Sequence, residues 1–236
     1  MIEPLVLLPG MMCDARLFSP QINALSVERA VMVAPITLGD RIEEIASGLL
    51  DQLPMKFALA GLSMGGIVAL ELYRRAPERI TRLCLIDTTP LAETPQAAAA
   101  REPLIIGAKA GRFADVLREA MPAELLAPGP RRMETLAHMH QIAEELGPDL
   151  FVRQSRALQR RRDQQSTLRK IRVPTHIICG KHDPLTPVKR HSFMAELIPG
   201  ATLQIIEEAG HIPSLETPEI VTAALRSWLD QPLPTG

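Results

Sequence analysis

Short, unbroken apolar runs alternate along this chain with stretches whose apolar residues recur every three or four positions. Residues 5–8 form a four-residue apolar run stopped by Pro9-Gly10, which reads as a buried strand followed by a tight turn. Residues 31–34, stopped by Pro35, and residues 57–60 and 80–86 repeat the pattern. Between them, residues 41–53 place Ile42, Ile45, Leu49, Leu50 and Leu53 on one helical face. A second helix is expected over 67–75, ending before Pro77. The same rhythm fills the last quarter. A strand is expected at 175–179, and a helix at 188–197 stopped by Pro199-Gly200. A further strand follows at 201–206, then a helix at 217–229 with Thr217 as N-cap and Pro218 in its first position. Strands that are continuously apolar and take turns with helices predict an α/β protein, its mostly parallel sheet covered on both faces.

Residues 89–170 break this rhythm. They hold several helical patterns, an alanine run at 97–100 and a proline-rich break at 122–130, but no convincing strand. The stretch is expected to be a helical cap, because it falls between two strands whose C-terminal ends should carry the site. Open α/β sheets bind their ligands at that edge. The expected division is a core of residues 1–88 and 171–236 with a cap insertion of residues 89–170. There is no internal repeat.

Composition narrows the class without naming a chemistry. With 236 residues, 46% apolar and 22% charged, the chain suits one globular domain carrying a modest insertion. A net charge of −1 gives no general attraction to nucleic acid or an anionic membrane, which leaves small molecules as the expected partners. The start, Met1-Ile2-Glu3-Pro4, has no basic segment followed by an apolar run, and no apolar stretch has membrane length. The three cysteines, Cys13, Cys84 and Cys179, cannot all pair within the chain. Cys84 and Cys179 lie in apolar runs and read as reduced, buried thiols. A cytoplasmic protein is the expectation.

The chemistry is concentrated in a few loops. Gly61-Leu62-Ser63-Met64-Gly65 matches G-x-S-x-G, with a strand directly before it and a helix directly after. That context marks a nucleophile elbow, a turn so sharp that its neighbours must be small. It exposes the Ser63 hydroxyl at a helix N-terminus, where backbone N–H groups favour developing negative charge. A serine needs a base. Of the six histidines, His211 stands in a loop just after the expected strand 201–206, on the same sheet edge as Ser63. His138 and His140, two apart in the insertion, face different ways on a helix and read as surface residues. His176 lies in a strand, His191 on a helix face and His182 in a loop. The base needs an acid to orient it. Asp183 follows strand 175–179, and Asp87, at the end of strand 80–86, is its rival. The order Ser63, Asp183, His211 is the one expected for this chemistry on an α/β sheet.

Four segments carry a resemblance: Leu8-Pro9-Gly10, Gly61-Leu62-Ser63-Met64-Gly65-Gly66, Gly180-Lys181-His182-Asp183-Pro184-Leu185-Thr186-Pro187, and Gly210-His211-Ile212-Pro213-Ser214-Leu215-Glu216-Thr217-Pro218-Glu219. They resemble the α/β-hydrolase superfamily over residues 5–91 and 171–229. The nearest branch is that of esterases and C–C hydrolases, including carboxylesterases, enol-lactonases and meta-cleavage product hydrolases. The resemblance implies the α/β-hydrolase fold and the same three residues as catalytic triad. Two departures stand out. Family members commonly begin with an antiparallel hairpin, yet only four residues precede Leu5, so that hairpin is expected to be missing. The family's His-Gly in the oxyanion loop is Pro9-Gly10 in this chain. The N–H of Met11 can still serve as a donor, with Met64 N–H as the second.

The expected reaction is hydrolysis of a small-molecule carboxylic ester or related acyl bond. Ser63 attacks, His211 takes its proton, Asp183 holds His211, and water releases the acyl group without cofactor or metal. A thioesterase, lactonase, C–C bond hydrolase or cofactor-free lyase could use the same residues, and a non-catalytic ligand-binding protein could use the same fold. A haloalkane dehalogenase would need an aspartate in place of Ser63. Met11, Met12 and Met64 either line an apolar pocket or fill the core. The basic stretch 153–172, with Arg160-Arg161-Arg162, either meets an anionic group or is a solvated helix face. Cys13 lies near the site loop.

Overall fold

Two interleaved sets of apolar side chains decide the architecture. In a computed structural model, which describes residues 2–233, six strands lie side by side. They are β1 (Leu5–Leu8), β2 (Val31–Val33), β3 (Phe57–Leu62), β4 (Ile80–Ile86), β5 (Thr175–Gly180) and β6 (Thr202–Ile206). Their order is β2-β1-β3-β4-β5-β6 and all five pairings are parallel. None of these pairings is the antiparallel hairpin of the fuller fold.

Successive side chains of a strand point to opposite faces. Val6, Leu8, Phe57, Leu59, Leu83 and Leu85 therefore pack on one side of the sheet, against α2 (Ile42–Leu50), α3 (Met64–Arg75) and α9 (Val188–Leu197). Leu5, Leu7, Ala58, Ala60, Cys84 and Ile86 pack on the other, against α1 (Ser19–Leu25) and α11 (Pro218–Leu229). Doubly buried strands have no polar face, and so read in the sequence as continuous apolar runs.

Between β4 and β5 the chain forms α4 (Pro95–Lys109), α5 (Phe113–Ala120), α6 (Arg132–Leu146), α7 (Pro148–Gln159) and the short α8 (Gln165–Leu168), and no strand among the described residues. These helices bring their own small core, in which Ala108, Val116, Leu117, Leu150 and Phe151 enclose Met12. No helix among the described residues is long and apolar enough to cross a membrane.

Two local expectations need correction. Thr217 stands at the N-cap of α11, but its hydroxyl donates to Pro213 C=O instead of capping the helix. The preceding turn, α10 (Pro213–Glu216), bends the chain so that this carbonyl is the nearer partner. Helix α3 begins at Met64, not at Ile67, because the turn at Ser63 leads straight into it.

Candidate active site

The parallel sheet puts the ends of β3, β4, β5 and β6 along one rim, and four polar side chains leave from it. Ser63 follows β3 directly. Its backbone is left-handed, with φ 54° and ψ −117°, a conformation that costs an L-residue of order 1–3 kcal/mol and persists only where neighbours enforce it. The enforcement is visible. Ser63 N–H donates to Ile86 C=O at 2.9 Å, and Thr88 Oγ1 donates to Ser63 C=O at 2.6 Å. Gly65 is required by the close approach that follows, since a Cβ there would lie 2.1 Å from Leu8 O.

His211, in the loop after β6, reaches Ser63. Its Nε2 lies 2.8 Å from Ser63 Oγ and its Nδ1 lies 2.8 Å from Asp183 Oδ2. The partners fix the tautomer. Asp183 is an acceptor, so Nδ1–H donates to it, and the bare Nε2 accepts from the serine hydroxyl. Burial alone would raise the Asp183 pKa. The His211 imidazole, the Thr186 hydroxyl and Thr186 N–H outweigh it and hold the carboxyl well below the usual range. Leu185 N–H adds a further donor at 2.8 Å.

Asp87, the rival acid, is buried beside this set and makes no contact with His211 of hydrogen-bond length. Its Oδ1 accepts Gly180 N–H at 2.9 Å, and its Oδ2 has no partner among the described residues. Burial, with the charge of Asp183 close by, pushes its pKa well above the ordinary value. A neutral carboxylic acid is the form this environment favours.

The loop carrying His211 is fastened by a residue to which no motif of the sequence gives a role. Glu216 accepts N–H groups from Gly210 at 3.0 Å, Ile212 at 2.9 Å and Ala127, in the insertion, at 2.7 Å. The insertion also grips the histidine, since His211 N–H donates to Leu125 C=O at 2.7 Å. No spacing rule links residue 216 to residue 127, so only the fold could reveal this tie.

Met64 directly follows Ser63 and Met11 lines the same cavity as Ser63, and neither N–H has a hydrogen-bond partner among the described residues. Their side chains part ways. Met11 and Met12 line a cavity of about 210 Å³ that opens onto Ser63 and His211, whereas Met64 packs into the sheet core. The far wall comes from the insertion, with Leu104, Met121, Met139 and Phe151. Cys13 joins the lining; burial pushes its thiol up to about 12, so it stays protonated. Arg101 contributes a charged side chain to the wall and is paired with Glu93 at 2.7 Å.

The remaining candidates fall elsewhere. His191 is buried on α9, accepts Thr88 N–H at 3.1 Å, and is lowered by burial to about 4. Its part is to brace the strand end behind Ser63. His140 contacts Met121 C=O at 2.9 Å and is only half-buried, as is His138. His176 stands on β5 and contacts Thr202 at 2.7 Å. Within 153–172, Arg156 pairs with Glu102, Arg160 with Asp40, Arg161 with Glu93 and Arg162 with Glu43. These pairs tie the insertion to itself and to α2 and the loop before it. Asp87, Cys179 and His191 could bring ligand atoms within 4.8 Å of one another, as could Asp87, Asp183 and His211. Both sets spend most of those atoms on internal hydrogen bonds, and burial keeps the Cys179 thiol protonated. Neither fits a resident metal.

Comparison with known proteins agrees with the fold. The profile of the Alpha/beta hydrolase family matches residues 5–224. A pimeloyl-[acyl-carrier protein] methyl ester esterase of Aromatoleum aromaticum is 32% identical over 198 residues, 77% of each chain. One of the same description from Legionella pneumophila is 28% identical over 96% of this chain and 95% of its own. A thermophilic esterase from Thermogutta terrifontis superposes with a TM-score of 0.86 at 27% identity, covering 96% of this chain and 89% of that one. The chain is thus a member of the alpha/beta hydrolase family, an enzyme related to esterases.

Proposed function

We propose that the protein hydrolyses a carboxylic ester of a small or carrier-bound acyl molecule through Ser63, His211 and Asp183. The observation that carries this reading is the pair of 2.8 Å contacts that links the three side chains in the order serine, imidazole, carboxylate. Ser63 Oγ attacks the ester carbonyl while His211 Nε2 takes its proton. Asp183 keeps the imidazole in the receptive tautomer and stabilises the cation. Met11 and Met64 N–H groups bind the oxyanion, each contributing on the order of 3 kcal/mol to the transition state. The alcohol leaves with the proton from His211. Water, deprotonated by the same nitrogen, then releases the acid.

Residues 89–170 act as a cap in this reading. They supply the apolar wall of the cavity and exclude water from the acyl-enzyme. An apolar chain is the group that such a wall accepts. The relatives whose names specify methyl esters of acyl-carrier-protein-bound pimeloyl chains favour a methyl ester over a thioester, lactone or C–C bond.

A panel of methyl esters, thioesters and lactones of matched chain length tests the proposal. Wild-type enzyme is expected to prefer the methyl esters, and Ser63→Ala to lose at least about 10³-fold in kcat while keeping its circular dichroism. A wild type no faster than Ser63→Ala on every class would leave a binding protein as the better reading.

A further inference from the structure

Gln154 is wholly buried on α7, yet the chemistry above leaves it unused. Its side-chain amide joins two distant loops. Oε1 accepts Met12 N–H at 2.8 Å, and Nε2 donates to Ile36 C=O at 3.1 Å. One partner follows β1 and the other follows β2, so a helix of the insertion clamps the rim of the sheet. The partners also fix the orientation of the amide, because an N–H can meet only its oxygen and a C=O only its nitrogen.

What it clamps is under strain. Met12 has φ 55°, in a turn closed by Cys13 N–H donating to Gly10 C=O at 3.2 Å. Such a backbone is unusual for a side chain as large as methionine and needs outside support. Pro9 supplies none, having neither an N–H nor a polar side chain. Fixing Met12 N–H fixes the plane of the 11–12 peptide, which meets the 10–11 peptide carrying Met11 N–H at Met11 Cα and so limits how that N–H can turn.

We propose that Gln154 is a positioning residue of the oxyanion site: from the insertion it holds the 11–12 peptide so that Met11 N–H faces the oxygen of the carbonyl that Ser63 attacks. The assignment rests on the reading of Met11 as an oxyanion donor. It makes the insertion part of the chemical machinery and not merely a wall of the pocket. Catalytic power and substrate enclosure are then coupled through one side chain.

The test compares wild type, Gln154→Leu, Gln154→Glu and a control in the opposite core, Leu225→Ala, chosen to lower Tm similarly. The readouts are kcat and KM for a nitrophenyl ester, Tm, and the inhibition constant of a trifluoromethyl ketone. In that adduct Ser63 Oγ bonds to the ketone carbon, the proton passes to His211, and the former carbonyl oxygen becomes an oxyanion. Gln154→Leu is expected to lower kcat by about 10- to 100-fold with KM changed less than about threefold, and to weaken the ketone in proportion to kcat/KM. Leu225→Ala is expected to keep kcat. In Gln154→Glu, only the protonated carboxyl can both accept from Met12 and donate to Ile36. Its activity relative to wild type should therefore rise as pH falls from about 8 to about 5.

Unchanged kcat and ketone affinity in Gln154→Leu would overturn the proposal, as would an equal loss in Leu225→Ala. If Gln154→Leu does not fold, a pH-independent ratio for Gln154→Glu overturns it alone. A wild type that forms no ketone adduct instead removes the esterase reading, and the role of Gln154 with it.

Discussion

At the scale of single residues, the site separates two buried carboxyls by their surroundings. Asp183 receives hydrogen bonds from His211, Thr186 and Leu185, which stabilise its anion. Asp87 receives one, from Gly180, and faces the field of Asp183. Asparagine imitates a neutral carboxylic acid but not a carboxylate. Asp87→Asn is therefore expected to retain kcat/KM within about threefold, while Asp183→Asn should lose about 10³-fold or more by upsetting the histidine tautomer. Steady-state kinetics on one ester checks both, and the reverse ranking would make Asp87 the working acid. That Ser63, Asp183 and His211 leave from one rim of the sheet was legible, because motif and strand context together place a side chain at a strand end. Asp87 was legible only as a rival, since sequence says that it ends a strand but not which way the His211 ring leans. The contacts of Gln154 and Glu216 were not legible. Their partners lie 142 and 89 positions away, and no local pattern records such a contact.

At the scale of elements, Glu71 shows how helices are fastened together. It is buried on α3, where Arg74, Arg75 and Gln164, the residue that leads into α8, converge on its carboxylate. Burial would raise its pKa, but those partners outweigh it and bring it to about 2. A lowered folded-state pKa means stability that is present above the ordinary value of 4.5 and lost as pH falls towards about 2. Glu71→Gln should therefore unfold more easily in urea at pH 7, and the gap to wild type should close between about pH 4.5 and 2. A gap independent of pH would show that the pairing contributes nothing.

The same scale explains what the pattern of apolar positions could and could not reveal. Strands buried on both faces announced themselves as apolar runs. Helix α1 (Ser19–Leu25) did not, because seven residues with a proline and three polar side chains hold too little periodicity. The first turn of α3 left no mark in the apolar pattern, because Gly65 and Gly66 carry no apolar side chain although the elbow makes them helical.

For the molecule as a whole, the sheet offers a rim of reactive groups and the insertion turns that rim into a cavity. The alternation of strands and helices pointed to a parallel sheet covered on both faces, and the loss of that alternation after residue 88 coincides with a run of helices and no strand among the described residues. How the insertion sits on the rim was not readable, since Leu125 C=O meeting His211 and Ala127 N–H meeting Glu216 are contacts between segments with no shared pattern. A serine and a histidine 148 positions apart meet at hydrogen-bond distance, and the proposed function needs them to react as one unit. Reaction with a fluorophosphonate, followed by mapping of the modified peptide, tests it most directly. A single adduct on Ser63 is expected, absent in Ser63→Ala and slowed by at least about 10³-fold in His211→Ala, with both variants folded. A wild type left unmodified, an adduct at another residue, or labelling of His211→Ala at the wild-type rate would contradict it.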